Sequence, residues 1–281
     1  MQSGMFDVDG AQLYYEIRGE GPAVLLIPGA GGDAGYFTGL ADNLADAFTV
    51  ITYDRRGNSR STGRLDAPMK LTDQADDARA LIEGLAGGRA LVYGNSGGAI
   101  VTLDLAARHP EVVRGAVAHE PPVIGVLPAD DPWFDFFDRL GARYAEVGPQ
   151  AAGGEFIATI RGEGTYAWPE DLLQRFAGNA DYLFRWEWEA WGRFLPDETA
   201  LSKVDFPLVL GAGAADRGLY YGRPSVEIAS RIGAPWVEFP GIHLEFVPRP
   251  DVFGAALRAV LTYMHTSTDS VPPQWNTARD S

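Results

Sequence analysis

Residues 91 to 107 constrain the fold more tightly than any other stretch of the chain. The apolar run Leu91-Val92-Tyr93 passes without a polar linker into Gly94-Asn95-Ser96-Gly97-Gly98, and helix-forming residues then continue from Ala99 to Ala107 before His109-Pro110. Strand, G-x-S-x-G and helix in direct succession require a sharp bend that tolerates little bulk two residues to either side of the serine. Gly94 and Gly98 meet that requirement. A serine on such a bend projects its hydroxyl clear of the sheet, so Ser96 is the candidate nucleophile.

The surrounding pattern supplies the sheet. Phe6 to Val8 and Ala11 to Ile17 flank Asp9-Gly10, a turn pair suited to a β-hairpin. Continuous apolar runs then fall at residues 23–27, 48–53, 90–93, 115–118 and 207–210, with helical spacing between them, as at Leu71 to Leu85. Such runs read as strands buried on both faces and joined by crossover helices, an α/β fold with a mostly parallel sheet. Between Pro121 and about Ala200 the rhythm stops and aromatics crowd in, among them Trp133, Phe134, Phe136, Phe137, Trp168, Phe184, Trp186, Trp188 and Trp191. The spacing predicts a helical insertion over 122–200, with Phe184, Trp188, Trp191 and Leu195 on one face as its own core. Residues 1–121 and 201–265 form the expected core, and the polar segment 266–281, with Pro272-Pro273, the expected flexible tail.

Composition narrows the chemistry. At 46 % hydrophobic and 22 % charged residues the chain reads as an ordinary soluble protein, and no apolar run approaches membrane-spanning length. Met1 to Val8 carry no secretory signal pattern, which makes the cytoplasm the default expectation. A net charge of -15 argues against nucleic-acid and anionic-membrane partners. With no cysteine and only four histidines, none in a His-x-x-x-His pair, neither a thiolate nucleophile nor a histidine-rich metal site is expected.

On these features the chain resembles the α/β-hydrolase family over most of its length. Pro28-Gly29-Ala30-Gly31-Gly32 looks like the family's oxyanion loop, Asp54-Arg55-Arg56-Gly57-Asn58-Ser59 resembles its D-x-R-G-x-G/S turn, and Gly241-Ile242-His243 resembles its histidine loop. The resemblance implies a serine hydrolase that needs no cofactor, and an apolar, tryptophan-rich cap over the site predicts a hydrophobic small molecule as substrate. Ala30, by its place in the Pro-Gly-x loop, and Gly97, at the N-terminus of the helix after the nucleophile, are the implied oxyanion donors. His243 follows the strand-like residues 236–239 and completes the family order of serine, acid and histidine, so it is the expected base. His109 and His265 read as surface or capping residues, and His119 as structural.

Two carboxylates stand just past strand ends as candidate acids. Asp216 occupies the family's usual place, with Arg217 beside it offering an ordinary surface pairing instead. Glu120, in His119-Glu120-Pro121-Pro122, is similar to the acid of the zearalenone-lactone hydrolases, and Pro121 is expected to hold it in an extended backbone. Glu120 is therefore placed first and Asp216 second. Gly31, Trp133, Phe137, Trp188, Trp191 and Ile242 are the candidates for substrate contact. The expected reaction is hydrolysis of a carboxylic ester or lactone, and the same triad also serves carbon-carbon bond hydrolases, aminopeptidases and perhydrolases. Two other classes compete: a non-catalytic receptor on the same fold, and an NAD(P)-binding oxidoreductase suggested by Gly29-Ala30-Gly31-Gly32-Asp33-Ala34 with Asp54 after the next strand. Pro28 at the tight turn and the preceding hairpin count against the latter. The sequence leaves oligomeric state open.

Overall fold

The computed structural model describes residues 1–63, 66–160 and 168–266. Eight strands form one sheet: β1 (Gln2–Val8), β2 (Ala11–Arg18), β3 (Ala23–Ile27), β4 (Thr49–Tyr53), β5 (Ala90–Asn95), β6 (Val113–His119), β7 (Leu208–Gly213) and β8 (Trp236–Phe239), in the spatial order β1-β2-β4-β3-β5-β6-β7-β8. The opening hairpin is antiparallel, β2 runs antiparallel to β4, and every pairing from β4 to β8 is parallel. The apolar runs are explained by burial: β5 and β7 are buried at every position, whereas β1 alternates between exposed and half-buried residues as an edge strand should.

Helices α1 (Thr38–Leu44), α2 (Leu71–Leu85) and α3 (Gly97–Arg108) connect the first strands. In α2 the residues Ala75, Ala78, Leu81 and Ile82 make the buried stripe that the sequence spacing demands. The insertion between β6 and β7 contains α4 (Pro132–Ile160), α5 (Glu170–Tyr182), a π-helical turn at Leu183–Glu187, α6 (Trp188–Arg193) and α7 (Glu198–Leu201), with no strand among its described residues. Gly148, at φ 81, and Pro149 break α4 into two helical arms. The chain then returns through α8 (Arg223–Ile232) and α9 (Pro250–Thr266). On one face of the sheet α1 packs on α9, while α2, α3, α7 and α8 form a connected layer on the other.

Two expectations are corrected. Phe184, Trp188 and Trp191 are buried as supposed, but Leu195 is 63 % exposed because α6 ends at Arg193, ahead of it. The last helix runs through Thr266, where the tail was expected to start, and residues 267–281 lie outside the described part of the chain. None of the described helices is long and apolar enough to cross a membrane.

The strand order reverses at β3, whose neighbours β4 and β5 lie on opposite sides, so the loops after β3 and β5 part at their C-terminal ends and open a crevice there. Into that crevice α3 enters almost in contact with β3. A methyl group on Gly98 would stand 2.0 Å from the Ile27 carbonyl oxygen, and one on Gly94 2.1 Å from the Gly98 oxygen. Backbone cannot recede as a flexible side chain can, so Gly98→Ala is expected to cost about 3 kcal/mol or more. Gly178→Ala, at an exposed position of α5 with open space around it, is expected to add up to about 1 kcal/mol. Thermal unfolding midpoints check both, and a Gly98→Ala protein as stable as wild type would contradict the packing argument.

Candidate active site

Ser96 lies alone between β5 and α3 at φ 58 and ψ -125, a left-handed backbone that a non-glycine residue adopts only when its surroundings impose it. Its amide nitrogen donates to the His119 carbonyl oxygen at 2.9 Å, fastening the bend to the end of β6. The side chain leans over the loop after β3: a methyl on Gly29 would sit 2.9 Å from the Ser96 Cβ and 3.5 Å from its Oγ. A methyl on Gly97 would sit 3.1 Å from the Ala30 nitrogen, so the two residues singled out as oxyanion donors face each other beside the serine.

Four residues past β8, His243 enters the same crevice. Its Nδ1 is 2.5 Å from Glu120 Oε2, and Glu120 Oε1 accepts the Gly213 N–H at 2.7 Å. With Nδ1 donating to the carboxylate, Nε2 carries the lone pair, and that atom is buried without a hydrogen-bond partner. Burial pushes the His243 pKa down to about 4, so the ring is neutral at pH 7. Tyr221 packs on the imidazole with ring centroids 4.0 Å apart.

Glu120 reaches His243 by a route the sequence did not suggest. Its φ is 54, not the extended value expected before Pro121. Its amide donates to Gly211 O at 2.9 Å, continuing the pairing with β7, and its carboxylate turns to Gly213 and His243; these bonds hold the strained backbone against the proline preference. Asp216 is also buried, but its Oδ2 has no partner, and Arg217 pairs with Glu238 at 2.7 Å rather than with Asp216. Burial, then the nearby Glu120, raises the Asp216 pKa to about 7. His119 is buried at the end of β6. Asn95 Nδ2 reaches His119 Nδ1 at 3.0 Å and the His243 carbonyl at 3.1 Å, tying the elbow to both neighbouring loops. His109 caps α3 and bonds Asp76 at 2.7 Å, and His265 is exposed near the end of α9. Asp54, the rival reading's ribose ligand, is instead consumed by Arg60 and by the Ala34 amide.

Ser96 and His243 line one cavity together with Pro28, Ala30, Tyr36, Phe37, Phe156, Ile160, Phe176, Leu244 and Phe246. None of the candidates for substrate contact is among the residues that line this cavity. Trp133 and Phe137 cluster with Tyr220, Trp188 stacks on Phe137, Phe176 covers Gly31, Ile242 donates its amide to Glu245, and Trp191 lies against Gly97. Phe156, Ile160 and Phe176, which do line the cavity, carry no sequence signal that distinguishes a cavity wall from a helix core. Asn95, inside the pentapeptide itself, was the one further residue within reach of sequence reasoning.

Comparison with known proteins agrees with this architecture. Residues 22–225 match the model of the α/β-hydrolase fold family. An uncharacterized hydrolase, YraK, of Bacillus subtilis is 31 % identical over 268 residues, covering 93 % of this chain and 96 % of its own. A putative carbamate hydrolase, RutD, of Azorhizobium caulinodans is 39 % identical over 104 residues, which is 37 % of this chain and 39 % of that protein. Among solved structures, a thermophilic esterase from Thermogutta terrifontis superposes with a TM-score of 0.75 at 20 % identity, covering 95 % of this chain and all of that one. The enol-lactonase of Burkholderia xenovorans gives 0.74 at 21 %, covering 92 % of this chain and all of its own. With the family model spanning most of the sequence and one relative alike from end to end, the chain belongs to the α/β-hydrolase family.

Proposed function

We propose that this protein is a serine hydrolase that cleaves a carboxylic ester or lactone of a small apolar molecule through an acyl-enzyme. The observation that carries this reading is the unpartnered Nε2 of a neutral, Glu120-held His243, set in one cavity with a strained Ser96. In the proposed sequence the Ser96 hydroxyl oxygen bonds to the substrate carbonyl carbon while its proton passes to His243 Nε2. The carbonyl oxygen, now an anion, is received by the Ala30 and Gly97 N–H groups. His243 returns the proton to the departing alkoxide, the carbon–oxygen bond breaks, and water repeats the cycle to release the acid. Glu120 orients the ring and stabilises the imidazolium.

The cavity argues for the substrate class. Its walls are aromatic and aliphatic side chains with no acidic or basic group besides His243, so a charged substrate portion would be desolvated without compensation. The esterase and enol-lactonase likenesses support ester or lactone chemistry on this fold. The insertion acts as the cap, contributing Phe156, Ile160 and Phe176 to the roof.

Purified protein is expected to hydrolyse p-nitrophenyl butyrate and to bind a fluorophosphonate covalently, with both activities gone in Ser96→Ala. A wild-type protein left unlabelled would favour the receptor reading. Glu120→Gln is expected to lower kcat by up to about 10⁴-fold, since the amide cannot hold the ring in the required tautomer. Asp216→Asn, whose parent makes no bond to the ring, is expected to keep kcat within about tenfold. The reverse order would make Asp216 the acid.

The acid limb of kcat/KM tests the state of the base. Only neutral imidazole accepts the serine proton, so activity is lost as pH falls through the His243 pKa. With that pKa depressed to about 4, the limb is expected near pH 4 and the profile flat from pH 5.5 to 7. A limb centred at or above about 6.5, where free imidazole titrates, would contradict it.

A further inference from the structure

Arg55 and Glu187 form an ion pair fully shut off from solvent, at 2.5 and 3.0 Å through the two terminal guanidinium nitrogens, between the loop after β4 and the π-helical turn of the insertion. Its surroundings give it a second use. Arg55 Nη2 also donates to the Gly29 carbonyl oxygen at 3.2 Å. That carbonyl belongs to the same peptide unit as the Ala30 N–H, and in a trans peptide the two groups point in opposite directions. A guanidinium holding the oxygen therefore fixes the plane of the peptide, and by polarising it makes the N–H on the far side a stronger donor. The Gly32 N–H donates to the same oxygen at 3.1 Å.

The carboxylate reaches the other half of the site as well. Glu187 Oε2 accepts from Trp191 Nε1 at 3.4 Å, and the Trp191 ring lies where a methyl on Gly97 would be 3.3 Å from its Cζ2. Arg55 stands 5.2 Å from the centre of that ring, and Asn58 Nδ2 donates to Glu187 Oε1 at 3.3 Å. Two further residues of α5 hold the same loop: Asn179 Nδ2 donates to Gly31 O at 3.0 Å, and Arg175 pairs with Asp33 at 2.7 Å.

Stability alone does not account for the pair, because a buried ion pair is commonly replaceable by apolar residues of like volume without loss. An apolar pair could not, however, grip the Gly29 oxygen. From this geometry we propose that Arg55 and Glu187 are positioning residues for the oxyanion hole: Glu187, carried by the insertion, sets the Ala30 donor through Arg55 and the Gly97 donor through Trp191. The hole is then assembled only when the insertion is docked. This inference rests on the acyl-transfer reading above.

The test compares wild type with Glu187→Gln and with the double variant Arg55→Met/Glu187→Met, which leaves no lone buried charge and so guards against a protein that fails to fold. Active enzyme is counted by the endpoint of fluorophosphonate labelling, so that partial unfolding does not count as slow turnover. Per labelled site, kcat for p-nitrophenyl butyrate is expected to fall about 10²-fold, the lower end of what losing one oxyanion donor costs, with KM little changed. Affinity for phenylboronic acid, whose tetrahedral serine adduct places an oxygen in the hole, is expected to fall in parallel. A folded double variant with wild-type kcat and boronate affinity overturns the positioning role alone. A wild-type protein that neither turns over the ester nor binds the boronate overturns the acyl-transfer reading itself.

Discussion

Much of this molecule follows from how closely α3 approaches the ends of β3 and β5. With glycine at 94 and 98, helix and strand backbones come closer than a side chain at either position would allow, and the bend between them is sharp. Ser96 takes φ 58 as a consequence. The same approach brings the first turn of α3, with its free amides, beside the loop that leaves β3, so the strain at 96 and the meeting of Ala30 with Gly97 have a single cause.

The sheet then delivers the remaining groups. β6, β7 and β8 run parallel beside β5, so the loops that follow them emerge along one edge: Glu120 from β6, Gly213 at the end of β7, and His243 from the loop after β8. Glu120 bonds to both of the others, which makes its carboxylate the junction of three loops as well as the partner of the ring. Asn95 performs the corresponding service on the other side, joining the elbow to His119 and to the His243 backbone.

How much of this the sequence disclosed depended on the range of the interaction concerned. The strands were legible because burial on both faces leaves a continuous apolar run, and α2 was legible from its spacing down to its end residues. The bend at 96 is local and was read from five residues. The positive φ of Glu120 was not legible, because proline at 121 argues for extension and what overrides it is a hydrogen bond to Gly211, more than ninety positions away in the chain. The cavity walls were hidden for a similar reason: which apolar residues of the insertion face Ser96 depends on the break at Gly148 and on the π turn after α5, and neither leaves a periodic trace.

The two buried carboxylates near His243 show how the site limits its own charge. Glu120 has the Gly213 amide and the ring Nδ1 as partners, so negative charge there is met from both sides. Asp216 has an oxygen with no partner, and burial together with the charge on Glu120 lifts its pKa to about 7. A second full charge would draw His243 towards its protonated form, in which Nε2 could no longer accept a proton. Burial favours the uncharged form of both Asp216 and the imidazole, so the proposed transfer of the serine proton to Nε2 would start from a neutral ring beside at most one carboxylate charge.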